Sequence, residues 1–230
     1  MLACCIRLIY FYQFQGNPFF GHLPELWDQT LYHKGAQALV EGDPFALAPG
    51  EPNQQSPFYQ YFLGLIYFFS GVELTSAWIV QLILGVVSTF LVYVIAKHYI
   101  SQGSAFIAAV MFTLYGGNWF YECTLYRASL VTLLTLSVCL LLLRFAERPS
   151  IGLLIGSALS LSFLTQARTN LILFVPFALV YLWRKVFSRR DMGRKWLAGY
   201  LVIFFLASLP LLIWVKQIHG NWGPYDQTGG

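Results

Sequence analysis

The sequence predicts an all-helical integral membrane protein of about seven transmembrane helices, with interfacial helices in its first outer loop. Hydrophobic residues make up 57% of the chain, charged residues only 10%, and the mean hydropathy is +0.60. Soluble domains carry about 25% charged residues. Several uncharged runs also have the length a bilayer requires, roughly 20 residues at 1.5 Å each to cross about 30 Å of hydrocarbon.

In chain order, Met1 to Gln15 is a short apolar stretch containing Arg7, a truncated or tilted first span. The first outer loop, 16–73, follows. In it Pro24 suits a first helical turn, Gly42 suits a C-terminal cap and Pro44 forbids continuation, so a helix is predicted from Glu25 to Glu41. Asp28, Tyr32, Gly35 and Ala36 fall on one face of it. This helix is too polar to span and is expected along the membrane surface. A second, apolar helix is predicted from Phe58 to Phe69, after Pro57 and ending near Gly71, with tyrosines and phenylalanines suited to interfacial depth.

Six further spans are predicted at Leu74 to Ala96, Tyr99 to Tyr121, Cys123 to Leu143, Pro149 to Ala167, Thr169 to Trp183 and Trp196 to Val215. The Gly152 and Gly156 spacing reads as helix packing, and Pro176 as a tolerated kink. The chain is read as a single transmembrane domain, 1–230. Its closing stretch from Trp222 to Gly230 is polar loop sequence, so a fragment is expected, with remaining spans and any C-terminal domain missing.

Lys and Arg are retained on the cytoplasmic side of short loops. With a cytoplasmic N-terminus, Lys97, Arg144, Arg148, Arg184, Lys185, Arg189, Arg190, Arg194 and Lys195 all fall inside, together with Glu147 and Asp191. Outside lie Lys34, Arg127, Arg168 and Lys216, with the acids Glu25, Asp28, Glu41, Asp43, Glu51, Glu73, Glu122 and Asp226. The acidic loop therefore faces away from the cytoplasm. The net charge of +4 needs no nucleic acid to explain it. The four cysteines show no metal-ligand spacing, and buried small-residue roles are expected for them.

Each candidate residue has a plain structural reading beside the functional one. Asp28 is well placed to interact with the dipole of its helix. Glu122 sits at the outer end of a span, where a solvated or snorkelling carboxylate accounts for it. Arg127 falls about one turn inside the membrane edge, where a charge is costly unless it meets protein, water or an anion. Arg168 lies in a tight outer turn, where an interfacial anchor suffices.

The order Asn17-Pro18-Phe19-Phe20, Asp28 with Tyr32-His33 and Ala36, Gly42-Asp43, then Ser56-Pro57-Phe58-Tyr59-Gln60-Tyr61-Phe62-Leu63 with Tyr67 and Gly71, resembles the first outer loop of a family of membrane glycosyltransferases. These are GT-C-fold enzymes of glycosyltransferase family 39, similar to protein O-mannosyltransferases and the aminoarabinose transferase of lipid A. Leu114-Tyr-Gly-Gly, Phe120-Tyr-Glu122 and Leu164-Thr-Gln-Ala-Arg168-Thr-Asn170 continue the pattern, and Leu209-Pro210 through His219 to Gly230 resembles a later outer loop.

The resemblance implies a polytopic GT-C-type bundle in a bacterial inner membrane, with an active site facing the periplasm. It implies an inverting transferase that takes sugar from a polyprenyl-phosphate donor and passes it to a glycan, lipid or protein acceptor. Asp28 matches the family aspartate assigned as general base or acceptor-positioning residue. Many relatives have Asp-Glu there, whereas this chain has Asp28-Gln29, which weakens any role that needs two adjacent carboxylates. A divalent metal is left open, with no ligands assigned. Arg127 and Arg168 suit the leaving phosphate, with Lys216 and His219 as weaker candidates. Tyr32, His33 and Glu122 are candidates for shaping the sugar or acceptor pocket. The competing readings are a polytopic transporter or lipid flippase, or an inactive membrane fragment; ionisable residues at the span ends, Arg7 excepted, speak against transport.

Overall fold

The computed structural model describes residues 1–18, 20–23, 28–43, 57–186 and 193–219. Outside the described residues lie Phe19, the predicted helix start at Pro24 and Glu25, Pro44, Glu51, Ser56, the loop positions Arg189, Arg190 and Asp191, the His219 side chain, and the stretch 220–230 with Asp226. Every regular element among the described residues is helical: α1 (Leu2–Gln15), α2 (Asp28–Val40), α3 (Phe58–Ser70), α4 (Leu74–Tyr99), α5 (Gln102–Leu114), α6 (Gly116–Glu122), α7 (Ala128–Glu147), α8 (Ile151–Ala167), a 3-10 turn (Thr169–Leu173), α9 (Phe174–Lys185) and α10 (Gly193–His219).

Among the described residues three segments are long and apolar enough to cross a membrane, Leu74–Tyr99, Ala128–Glu147 and Gly193–Trp214. Gln102–Leu114 and Ile151–Ala167 are shorter apolar helices. The two loop helices form as expected. Gly42 ends the first with φ 102° and Gly71 follows the second with φ 81°, both in the region that favours glycine.

Three expected spans differ from prediction. The run Tyr99 to Tyr121 is not one helix, because it breaks at extended Tyr115 between α5 and α6. Side chains beyond the break satisfy carbonyls at the end of α5: Asn118 Nδ2 donates to the Phe112 carbonyl at 3.0 Å and Trp119 Nε1 to that of Thr113 at 2.7 Å. The run from Cys123 begins its helix only at Ala128, so Arg127 precedes α7 rather than lying a turn inside it. The run from Thr169 opens with a 3-10 turn, and Pro176 falls in the first turn of α9, where a missing N–H breaks no helical bond; no kink is needed.

The helix-packing reading holds at neither glycine of the pair in full. A Cβ at Gly152 would meet nothing within 4 Å, and one at Gly156 would make only ordinary contact with Leu141. Cys123 is buried and Cys139 half-buried, but Cys4 and Cys5 are exposed, on a face of α1 that no described element covers.

The chain divides into two compact units, Met1–Leu136 and Ser137–Gly230. In the first, α2 packs on α3, α4 pairs with α5, and α1 lies against both α4 and α5. Its core is aromatic, with Tyr32, Tyr59, Tyr67 and Trp78 buried alongside Leu63, Leu125 and Leu130. In the second, α8 packs on α10. Polar groups join that pair: Ser162 and Ser208 hydroxyls are 2.8 Å apart and Gln166 Nε2 donates to the Ala207 carbonyl at 3.0 Å. Such inter-helix bonds contribute about 0.6–2 kcal/mol each in membrane proteins.

Candidate functional site

The first unit holds a connected buried polar system around the break between α6 and α7. At its base Arg7 of α1 meets Glu122, the last residue of α6, through two bonds, Nε to Oε2 at 2.7 Å and Nη2 to Oε1 at 2.9 Å. Both residues are nearly inaccessible, at 1% and 2% exposure. The solvated or snorkelling reading of Glu122 is therefore corrected: its carboxylate is enclosed and neutralised by a guanidinium fork, the geometry that lets a charge pair persist away from water.

Gly85 makes this approach possible. A Cβ there would overlap the Glu122 carboxylate and lie 2.7 Å from Arg7 Nε. Gly85 is eleven residues beyond Leu74, about 16 Å along an α4 of 26 residues, so the ion pair sits near the middle of that helix.

Two glutamines hold the non-helical segment that follows. Gln81 Nε2 donates to the carbonyls of Glu122, at 3.2 Å, and Thr124, at 2.9 Å, while its Oε1 accepts from Tyr59 at 2.8 Å and from Ser129 at 3.1 Å. Gln29 Oε1 accepts the Leu125 N–H at 3.0 Å. Backbone groups left unpaired by the break are thus satisfied by side chains, as buried peptide groups must be.

The Gln29 bond relates two of the expected site residues. It fastens the first turn of α2, which carries half-buried Asp28, to the segment that ends at half-buried Arg127. Tyr32, one turn beyond Asp28, is fully buried edge-on against Tyr59, with ring centres 4.8 Å apart. His33 is half-buried with Nδ1 2.9 Å from the Tyr67 hydroxyl. Burial lowers the His33 pKa below the ordinary imidazole value and raises that of Tyr67, so both are neutral near pH 7. Arg168 is exposed where α8 ends, and Lys216 is exposed on α10; both belong to the second unit.

Among the described residues no group of three or more His, Cys, Asp or Glu is placed to hold a metal ion. The residues that sequence reasoning missed are Gln29 as a clamp, Gln81 and Ser129. The signal was present in Gln81, the one amide in the charge-free run from Leu74 to Ala96, since a polar group at membrane depth needs a partner.

Described residues whose regular elements are all helical, with long apolar helices and a buried polar site bonded to a carboxylate-bearing loop helix, define an integral membrane protein of the polytopic class. Residues 54–214, more than half of the chain, match the family model described as dolichyl-phosphate-mannose-protein mannosyltransferase. The chain belongs to that family, which makes it a membrane glycosyltransferase in general class. Glu122, Arg127 and Arg168 lie inside the matched region; Asp28, Tyr32, His33 and Lys216 lie outside it. No curated protein and no solved structure matches.

Proposed function

We propose that this protein transfers a sugar from a polyprenyl-phosphate donor to an acceptor hydroxyl on the outer, periplasmic face of a bacterial inner membrane, with inversion. The family match over 54–214 is the observation that carries this reading. Its frame is a GT-C-type bundle of about seven crossings acting as one transmembrane domain over 1–230.

Asp28 takes the proton as the acceptor oxygen attacks the anomeric carbon. The bond from that carbon to the phosphate oxygen breaks, and polyprenyl phosphate leaves with the electron pair. One in-line displacement inverts the centre. Arg127 receives the phosphate charge, which suits a guanidinium that has no hydrogen-bond or ion-pair partner among the described residues. Arg168 and Lys216 are kept as further phosphate candidates on the strength of the resemblance alone. The Gln29 bond supports this assignment because it couples the helix of the base to the segment of the arginine.

Buried Tyr32 shapes the pocket from behind and Glu122 forms part of its wall, whereas half-buried His33 is neutral and able to hydrogen-bond a hydroxyl through its second nitrogen. The acceptor is a glycan, lipid or protein hydroxyl. The test is incubation of membranes carrying the protein with radiolabelled polyprenyl-phosphate mannose and, separately, polyprenyl-phosphate aminoarabinose. Label passing to a macromolecular fraction from either donor supports transfer, and no label from any polyprenyl-phosphate sugar contradicts it.

A further inference from the structure

A cavity of about 220 Å³ opens between α4, the α5–α6 break and the start of α7. It is smaller than the roughly 300 Å³ at which drug-sized pockets begin, yet several times the share of one water. Its walls are unusual for a space among apolar helices. Ser88 Oγ, in a residue 1% exposed, is enclosed without a hydrogen-bond partner. Thr132, half-buried on α7, has no side-chain partner among the described residues. Ser129 Oγ donates to Gln81 and Asn118 Nδ2 to the Phe112 carbonyl, leaving the oxygens of both side chains able to accept. Each Glu122 oxygen takes one bond from Arg7 and has a lone pair to spare.

A compact occupant rich in hydroxyls would satisfy these groups. A lipid tail would leave the Ser88 hydroxyl unsatisfied, at the desolvation cost that buried polar groups avoid. The phenol rings of Tyr115 and Tyr121 on the wall suit the apolar face of a pyranose. The cavity's α7 wall starts at Ala128, directly after Arg127, so a ring seated here is next in the chain to the arginine assigned to the phosphate.

We infer that this cavity is a monosaccharide subsite for the sugar of the lipid-linked donor, with Ser88 and Thr132 as specificity-determining hydroxyls. The inference rests on the transferase reading for the identity of the ligand. Its test is nevertheless a binding measurement that needs no turnover.

The full protein in nanodiscs is titrated with polyprenyl-phosphate mannose and with polyprenyl phosphate lacking sugar, and the ratio of the two affinities isolates the sugar's contribution. The wild type should bind the mannosylated lipid at least about tenfold more tightly. Ser88→Ala or Thr132→Val should each cut that preference about three- to tenfold, the worth of one or two hydrogen bonds. Ser88→Leu, which fills the space, should abolish it while affinity for the bare lipid is kept. A wild-type ratio near one, variants that keep the ratio, or equal loss of both ligands in all three variants overturns the subsite. If the ratio behaves as expected but no sugar is ever transferred, the subsite stands and the transferase reading falls.

Discussion

Arg7 and Glu122, 115 residues apart in the chain, share a two-point ion pair seated directly over Gly85. It ties the first helix to the end of α6, and the backbone carbonyl of Glu122 is gripped in turn by Gln81. A buried pair is weak evidence for net stability, since desolvation offsets much of the attraction, but breaking one side leaves an uncompensated charge. Arg7→Met or Glu122→Leu alone should lower stability by about 3–5 kcal/mol, whereas the double variant should recover most of the loss. Unfolding in mixed micelles measures the cycle; additive losses would show that the two side chains are not coupled.

Gly85→Val should be poorly tolerated because its Cβ would already occupy the space of the Glu122 carboxylate. A loss of about 1–3 kcal/mol is expected from the overpacking. The same change at Gly152, where an added Cβ meets nothing, should be close to neutral in packing and is the control. Thermal denaturation of both variants in one detergent compares them.

Gln29→Leu removes the acceptor of the buried Leu125 N–H. The unsatisfied donor should lower stability by about 1–3 kcal/mol. Because the bond joins the Asp28 helix to the Arg127 segment, turnover should fall more than the stability loss accounts for. Gln29→Glu keeps an acceptor oxygen and should restore part of the turnover. Rates on polyprenyl-phosphate sugar at saturating donor, set beside unfolding curves, separate the two effects.

His33 has its pKa lowered by burial, so the folded protein binds fewer protons there than the unfolded chain does in the interval between the lowered value and about 6.5. Stability should therefore rise with pH through that interval and decline as pH falls below about 6.5. His33→Phe should remove that part of the dependence. Unfolding midpoints at several pH values for both proteins check the sign; a wild type that gains stability on acidification through this interval would contradict it.

The loop helices were legible because proline, glycine and one-face periodicity act locally: Asp28, Tyr32, Gly35 and Ala36 do share a face, the last three buried on it. Family membership was legible for a similar reason, since the quoted motifs are short strings in a fixed order. The break at Tyr115 was not, because hydropathy averages over Gly116 and Gly117 and ignores that Asn118 and Trp119 reach back to α5. Arg7 stood out as a charge in an apolar stretch, whereas Glu122 read as a solvated or snorkelling carboxylate at a span end. Nothing local said that they meet, since that depends on α1, α4 and α6 packing at Gly85.

The proposed transfer of sugar from a lipid phosphate depends on Asp28 acting as the base. Its most direct test is the rate of label transfer from a polyprenyl-phosphate sugar by wild type and Asp28→Asn at matched amounts of folded protein. A loss of about 10²- to 10⁴-fold is expected for Asp28→Asn, with donor affinity nearly unchanged. Transfer at the wild-type rate by Asp28→Asn would contradict it, leaving Asp28 as a first-turn carboxylate that serves only its helix.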